Sequence, residues 1–422
     1  MSNFIYNKWF SWATFLTVLA TLCLIGMGGL VTSREVGLAV HDWPTSFGYN
    51  VFLLPLDRWV GRFGVFEEHS HRILASLVGL MTACLAGWLW VRETCGRPRI
   101  IAMGGILLTL GLLGVRTQGV FVVMAGLAVV MLAFSIYKII IISGVLRWWA
   151  MLAYSMVIVQ GVLGGLRVTR IDDRIGIFHG VLAQLFLVVL GCLALFSSRW
   201  WLAARAAKNS SELVPKVVRS HFMFATIMIF SQLIIGATMR HQHAGLPVWD
   251  FPKAHEQWWP ATDKAAMAQY NEDRSRLQKR LNEEKRVVDS RDRPMIFLST
   301  GRDIQSGHIT LHMVHRMMAI LVAGLVLGTA ILARRKLGAS HVLSRLSLVW
   351  IGLIVIQITL GALTVVKYKP ADIATLHVVF GAMGLMFGSI GTIISRNKYL
   401  PELRLDAAQS DSMSVTSENT IC

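Results

Sequence analysis

Long apolar segments separated by short polar or basic links dominate the chain. A helix needs about twenty apolar residues to cross a hydrocarbon core of about 30 Å. Eight segments reach this length, at about 11–32, 69–91, 147–168, 175–197, 219–239, 308–332, 342–366 and 372–394. This pattern predicts an all-α polytopic membrane protein.

A further apolar region lies between the second and third of these segments. Residues 99–115 and 119–142 are both apolar enough to enter the membrane, although the first is short for a span. We interpret the region, about 99–142, as an inserted helical hairpin, which gives ten spans. A single re-entrant excursion is the alternative, so the pattern predicts eight to ten spans.

Composition and charge favour a membrane protein over a soluble one. Only 15% of residues are charged and 54% are hydrophobic, whereas a soluble protein has about a quarter charged residues. The net charge of +17 would suit a nucleic-acid partner, but the basic residues concentrate in links between spans, as in cytoplasmic loops. We therefore expect no nucleic acid, membrane lipid around the helices, and both termini in the cytoplasm.

The remaining loops then face outward. They are residues 33–68, 169–174, 240–307 and 367–371. The third contains a highly charged stretch, 262–293, without Pro or Gly, which predicts a solvated helix. We expect the histidines of these loops to be exposed, with a metal site as the alternative for two of them; they are His41, His241, His243 and His255, and the two are His241 and His243.

The sequence contains an internal repeat. Gly37 to Pro44 recurs as Gly245 to Pro252, 208 positions later. The other repeated features are His71-Arg72 with His315-Arg316, Gln160 to Leu166 with Gln357 to Leu363, and His179 with His377. Because each half crosses the membrane an even number of times, we expect two tandem four-helix bundles related by a pseudo-two-fold axis along the membrane normal.

The repeat predicts three regions. Residues 1–200 form an amino-terminal four-helix repeat that contains the hairpin at about 99–142. Residues 201–398 form a carboxyl-terminal four-helix repeat with a charged outer-loop insert at about 253–300. Residues 399–422 are polar and predict a disordered cytoplasmic tail.

Four of the thirteen histidines occupy repeated positions: His71, His179, His315 and His377. Each lies in the first turns of a span that runs from outside to inside, so all four are expected at one depth. Ionisable residues within spans usually face the bundle interior. Two imidazoles on facing helices suit the axial positions of a haem iron, and hydrogen-bonded packing is the simpler alternative.

Charged residues next to these histidines differ between the halves. Arg72 and Arg316 follow their histidines and could pair with haem propionates or mark the headgroup boundary. Glu68 precedes His71 by three residues and shares its helix face, whereas the other half has His312 at this position. We interpret Glu68 as a proton acceptor or water-positioning group, with Glu67 as the competing carboxylate and a solvated helix start as the alternative.

Small residues recur with the histidines and permit either close helix packing or room for a flat macrocycle. They are Gly28, Gly29, Gly161, Gly164, Gly165, Gly236 and Gly361.

Together these motifs resemble the heme A synthase family. The resemblance covers about residues 11–394, outside the hairpin and the charged insert, and is carried by Glu68 to Arg72, the two Gly-Leu loops, Gln160 to Leu166 and the four histidines. It implies an oxidoreductase that acts on a methyl group and converts heme O into heme A by successive hydroxylation of the C8 methyl. Its place would be the inner (plasma) membrane.

The resemblance also implies roles for individual residues. His315 and His377 would hold the iron of a haem b that relays electrons, and His71 and His179 would hold the substrate haem. Glu68 would be important for activity. Heme O would be the substrate, and heme O synthase and cytochrome oxidase assembly factors are expected partners. The cysteine pair that some bacterial members carry in the first outer loop is absent here.

Two other classes of function fit the same histidines. A di-haem b-type electron-transfer cytochrome acting with quinone would use both pairs for permanent cofactors. A haem transporter or chaperone would bind and release haem without chemistry. The cytochrome leaves the difference between Glu68 and His312 without a purpose.

Overall fold

The computed structural model describes residues 6–112, 115, 117–142, 145–170, 172–206, 214–242, 244–283 and 303–396. Helices are the regular elements of this part of the chain, as predicted. The α-helices are α1 (Lys8–Ser33), α2 (Val65–Glu93), α3 (Arg97–Leu112), α4 (Gln118–Ile141), α5 (Leu146–Arg170), α6 (Asp173–Ser197), α7 (Arg199–Ala206), α8 (Lys216–His241), α9 (Lys264–Glu283), α10 (Ser306–Leu337), α11 (Val342–Val366) and α12 (Ala371–Arg396). The predicted tail at 399–422, residues 284–300 of the outer insert and His243 lie outside the described residues.

Within the described ranges, nine helices are long and apolar enough to cross a membrane, namely all except α3, α7 and α9. The predicted hairpin at 99–142 consists of two helices, α3 and α4. Because α3 has 16 residues, it is shorter than the roughly 20 that a span requires. Its crossing, and with it the count of ten spans, stays a prediction.

The membrane helices pack in two groups. Helices α1, α2, α5 and α6 contact one another and form the amino-terminal bundle; α8, α10, α11 and α12 form the carboxyl-terminal bundle. In the first group α3 packs against α2, and α4 packs against α5. The interpretation of these groups as two tandem four-helix repeats related by a pseudo-two-fold axis stays a prediction.

The two bundles meet through α1 and α6 on one side and α8 and α12 on the other. Because the hydrophobic effect does not drive helix association within lipid, this contact depends on close packing. A Cβ atom on Gly191 of α6 would lie 2.8 Å from the Met386 side chain of α12. Buried Leu187 and Ala382 continue the contact. The absence of a side chain at Gly191 therefore lets the bundles approach.

The repeated outer segments fold in the same way. The Asp42 carboxylate accepts the backbone N–H groups of Phe47 and Gly48, at 2.7 and 2.9 Å. The Asp250 carboxylate accepts the N–H groups of His255 and Glu256 at the same two distances. Each aspartate thus closes a tight turn above its bundle.

The second outer loop carries the predicted charged helix, α9. Its Asn271 amide exchanges two hydrogen bonds with the backbone of Ile304, at 2.8 and 3.3 Å. The His255 ring stacks on Tyr270 with centroids 3.7 Å apart and meets the edge of Trp249. The prediction of exposed loop histidines was wrong for His255, because α9 folds back and covers it. It was also wrong for His241, which is the last residue of α8 and is buried.

Candidate functional site: two buried histidine pairs

The four predicted histidines lie near the amino-terminal ends of α2, α6, α10 and α12. Protein surrounds each ring, yet each side chain keeps some accessible surface. The four histidines are therefore half-buried within the bundles. The structure brings His71 together with His179 and His315 together with His377, one pair in each bundle.

The carboxyl-terminal pair has the spacing of two ligands on one metal. The ring centroids of His315 and His377 are 6.4 Å apart, and their planes are inclined by 63°. With metal–nitrogen bonds of about 2 Å and about 1.2 Å from each nitrogen to its centroid, two axial imidazoles would be roughly 6–6.5 Å apart. The centroid separation therefore agrees with two imidazoles that would hold one metal. The Nε2 atoms also lie beside glutamine amides, 3.2 Å from Gln232 at His315 and 3.5 Å from Gln357 at His377.

The amino-terminal pair has unsatisfied polar atoms. The Nδ1 atoms of His71 and His179 are buried and make no hydrogen bond of good geometry among the described residues, although the backbone carbonyls of Leu24 and Gln160 act on the two rings. Leaving a buried polar atom unpaired costs about 1–3 kcal/mol. Such atoms point to a missing partner, which at an imidazole nitrogen is either a metal or a hydrogen-bonding group.

Every one of the four rings rests against a glycine of a neighbouring helix. A Cβ added to the glycine would lie only 3.0 to 3.2 Å from the Cε1 atom of the histidine. The four contacts are Gly28 with His71, Gly164 with His179, Gly236 with His315 and Gly361 with His377. The repeated glycines therefore make room for the imidazoles as well as for close helix packing.

Glutamines connect to three of the four histidines. Gln160 donates its amide to the backbone carbonyl of His179 at 3.0 Å, and Gln232 does the same for His315. The backbone carbonyl of Gln357 lies 3.0 Å from the Nδ1 atom of His377. All three hold the backbone or ring of a histidine, so they are positioning residues for the pairs.

Glu68 and Arg72 fasten the first outer loop to α2. Glu68 is buried and accepts the backbone N–H of Val40 at 2.9 Å and the Arg72 guanidinium at 2.7 Å. Arg72 also donates to the carbonyls of Val40, Asp42 and Thr45, at 2.6 to 2.9 Å. Both side chains thus hold the loop beside His71, and Glu68 is no solvated helix start.

The other half has only the arginine of this arrangement. Arg316 donates to the carbonyls of Asp250 and Lys253, at 2.7 and 2.9 Å. His312, in the place of Glu68, is 2% exposed, and its Nδ1 atom has no hydrogen-bond partner in the described residues. The loop clamp is therefore repeated, but its carboxylate is not.

Glu67 points away from the histidines. One carboxylate oxygen bonds to Arg34, and the other accepts the backbone N–H of Gly64 at 2.7 Å. Both groups belong to the ends of the first outer loop. Glu67 therefore fixes the start of α2, and of the two carboxylates Glu68 is the one next to the His71 site.

Sequence reasoning missed an aromatic contact at the amino-terminal pair. A Cβ atom on Gly165, next to the glycine under His179, would lie 2.0 Å from the Trp43 ring. Trp43 also packs on Phe121 of α4, with centroids 4.6 Å apart. In the other half Phe251 replaces Trp43 and is 45% exposed. The repeated Asp-aromatic-Pro loop was the available signal, but it does not specify the partner.

Three basic residues near the histidines were also missed: Arg167, Arg240 and Lys369. Arg167 interacts electrostatically with both His71 and His179, and Arg240 interacts with His377. Two of them correspond to uncharged residues in the other half of the repeat: Arg167 to Thr364 and Arg240 to Thr32. A single basic residue at the end of a span gives no signal beyond a membrane boundary.

Fold and site together define an all-α membrane protein with a buried histidine pair in each of two helical bundles. The COX15-CtaA family model, described as cytochrome oxidase assembly protein, matches residues 116–388. This range is more than half of the chain, and the chain therefore belongs to that family. The match includes His179, His315 and His377 and begins after His71.

Curated relatives extend the similarity over nearly the whole chain. A heme A synthase of Beijerinckia indica subsp. indica is 23% identical over 401 residues, 89% of this chain and 89% of its own. A heme A synthase of Shewanella oneidensis is 23% identical over 407 residues, 92% of this chain and 96% of its own. One of Shouchella clausii is 24% identical over 250 residues, 58% of this chain and 64% of its own. The predicted resemblance to the heme A synthase family is confirmed.

Proposed function

We propose that this protein is a membrane-bound oxidoreductase of heme A biosynthesis, which converts heme O into heme A by successive hydroxylation of the C8 methyl group. Family membership and the relatives named heme A synthase support the reaction class. The observation that carries the proposal is the recurrence, in both bundles, of two buried imidazoles seated on glycines. Heme O synthase and cytochrome oxidase assembly factors stay expected partners.

The carboxyl-terminal pair is proposed to hold a haem b. His315 and His377, with ring centroids 6.4 Å apart, would hold the haem, and the backbone carbonyl of Gln357 lies where it can accept a hydrogen bond from His377 Nδ1. A bound haem would supply one-electron transfer. The chain's own contribution is to orient both imidazoles through Gln232, Gln357 and the glycines.

The amino-terminal pair is proposed to hold the iron of the substrate. The Nδ1 atoms of His71 and His179 make no hydrogen bond of good geometry among the described residues, and the Trp43 ring packs against Gly165 beside them. The clamp of Glu68 and Arg72 keeps the first outer loop over this site and limits the access of water. For Glu68 these contacts support a positioning role; proton transfer by Glu68 and propionate pairing by Arg72 and Arg316 stay predictions.

Pigment analysis of cells that express this chain together with a heme O source tests the proposal. We expect extracted haem to contain heme A, and we expect His71→Ala and His179→Ala to abolish it while heme O accumulates. Purified protein with two non-exchangeable haem b groups and no heme A product would instead identify an electron-transfer cytochrome. Release of unchanged heme O would identify a transporter.

A further inference from the structure

Three basic side chains come together at the outer side of the contact between the bundles. Arg167 lies near the end of α5, Arg240 near the end of α8, and Lys369 between α11 and α12. Arg240 interacts electrostatically with both of the others. Among the ion pairs of the described residues, none gives any of the three a carboxylate within 4 Å.

Neighbouring groups hold two of these side chains in place. The Arg240 guanidinium crosses to α1, where it donates to the Gly29 carbonyl and, at 2.7 Å, to the Ser33 hydroxyl. Arg167 lies between Gly37 and Gly176, with guanidinium nitrogens 3.2 Å from the position of a Cβ on each. Gly37 therefore leaves space for Arg167. Gly176 leaves space for Arg167 and for the buried His241 ring, which lies 2.5 Å from the position of its Cβ.

The cluster lies between the two histidine pairs. Arg167 acts electrostatically on His71 and His179 in the amino-terminal bundle, whereas Arg240 acts on His377 in the carboxyl-terminal bundle. All three basic side chains keep some accessible surface despite the protein around them. A charged group that entered the space beside either pair would therefore meet them.

Placing like charges together in protein is costly unless anions compensate them. The nearest acids act only at longer range: Glu68 and Asp173 on Arg167, and Glu35 on Lys369. The terminal nitrogens of Arg72 and Arg316 already donate to loop carbonyls. The three-residue cluster thus has donors directed at no carboxylate of the described chain, and carboxylates match guanidinium groups well.

We propose that Arg167, Arg240 and Lys369 form a carboxylate-binding cluster that receives the propionate groups of the macrocycles held by the two histidine pairs. This inference rests on the proposed function, because it needs a macrocycle between the histidines. It assigns the propionate contacts to the junction of the bundles, and it leaves Arg72 and Arg316 as positioning residues for the outer loops.

The inference is tested by comparing the affinities of the protein for two macrocycles, one with free propionates and one with esterified propionates. Full-length protein from haem-deficient cells is titrated with iron protoporphyrin IX and with its dimethyl ester, and the dissociation constants come from the absorption spectra. We expect wild-type protein to bind the free acid about tenfold more tightly or better. In the double variant Arg167→Met/Arg240→Met, the ratio of the two dissociation constants should fall towards one. In Arg167→Lys/Arg240→Lys, which keeps both positive charges, the preference for the free acid should persist.

Arg170→Met is the matched control, since Arg170 lies one turn further along α5 and is exposed; its preference should equal that of the wild type. Should Arg240 variants fail to fold, Arg167→Met alone serves, because Arg167 makes no hydrogen bond in the described structure. An unchanged preference in folded Met variants with a bis-imidazole spectrum overturns the inference and leaves the proposed function intact. If the wild-type protein gives no bis-imidazole spectrum with either macrocycle, both the inference and the proposed function are contradicted.

Discussion

The amino-terminal and carboxyl-terminal sites each contain two histidines packed against glycines, but the residues around the two pairs differ. In the carboxyl-terminal bundle, Gln232 donates to the backbone of His315. The corresponding residue four positions before Gly28 is Leu24, whose side chain offers His71 no hydrogen bond. Backbone carbonyls act on three of the rings, that of Leu24 on His71, that of Gln160 on His179 and that of Gln357 on His377. The two halves therefore differ in one side-chain contact, that of Gln232 with His315.

The outer loops differ in the opposite sense. Glu68 and Arg72 clamp the first loop, and Trp43 packs against the wall of the His179 site. In the other half the arginine works without a carboxylate, and Phe251 points outward. The amino-terminal site thus lacks one glutamine contact to a histidine, and its outer loop is held by an additional carboxylate. A fastened loop is expected where water must be excluded from a reaction.

Removing a histidine should have the largest effect, and a different effect in each half. We expect His315→Ala to lose the bis-imidazole haem b spectrum, because it removes a ligand of the iron. The loss of a residue that only orients a ligand lowers metal affinity by about 10–100-fold, so the loss of the ligand itself should have a larger effect. His71→Ala should keep that spectrum and lose heme A formation. Absorption spectra and haem extraction of both purified variants measure this. An unchanged spectrum in His315→Ala would contradict the ligand assignment.

Removing the carboxylate that only one half possesses should have the next largest effect. Glu68→Gln leaves the buried Arg72 without its charge partner, and breaking a buried pair costs about 3–5 kcal/mol. We expect heme A formation to fall at least about tenfold with haem b content unchanged, as measured by pigment analysis.

Glu67→Gln is the matched control for this experiment. Its partner Arg34 is 39% exposed, so the pair contributes only about 0–1 kcal/mol. The pH profile separates the two roles of Glu68: loss of an acidic limb in Glu68→Gln would indicate proton transfer, and a uniformly lower profile would indicate positioning. Full activity of Glu68→Gln would show that neither role is needed.

A smaller effect is expected from a methyl group placed under a ring. Gly164→Ala brings a Cβ within 3.2 Å of His179, and Gly361→Ala brings one within 3.1 Å of His377. The imidazole must shift by a few tenths of an ångström, so we expect about tenfold weaker binding in the affected half only. Spectral titration with iron protoporphyrin IX measures this.

Gly161→Ala is the control on the same helix as Gly164. A Cβ at Gly161 meets nothing within 4 Å, so binding should be unchanged. Equal weakening by Gly161→Ala and Gly164→Ala would mean that the glycines act through the helix backbone and not through the histidine rings.

The smallest effect concerns the pH dependence of the second outer loop. Burial lowers the pKa of His255 from its ordinary value of 6.5, which favours the neutral ring in the docked state. This contribution to stability is present above pH 6.5 and is lost as the pH falls towards the lowered pKa. We expect smaller hydrogen-exchange protection factors for residues 264–283 at pH 5 than at pH 7.5.

His255→Phe keeps a ring on Tyr270 but cannot be protonated, so its protection factors should lose this pH dependence. The first outer loop offers no equivalent experiment, because it has no helix that corresponds to α9. A pH dependence that persists in His255→Phe would show that another group controls the docking of α9.

Helices, repeat and histidines were predictable because each leaves a local or periodic pattern. A span needs a run of apolar residues wherever it lies, and a duplicated His-Arg pair is visible without knowing its neighbours. The exposure of His255 was predicted wrongly, because its cover comes from α9, beyond the turn in which it sits. The contact of Trp43 with Gly165 was equally hidden, since it joins residues from an outer loop and α5.

The sequence by itself determined that this is an all-helical membrane protein with two related halves and four histidines at repeated positions. Only the tertiary structure decided what surrounds those histidines: which glycine lies against each ring, which carboxylate each arginine binds, and where Arg167 meets Arg240. The physical reason is that spans follow from the cost of placing a polar backbone in lipid, which is local. Contacts between helices follow from packing, which depends on every neighbour at once.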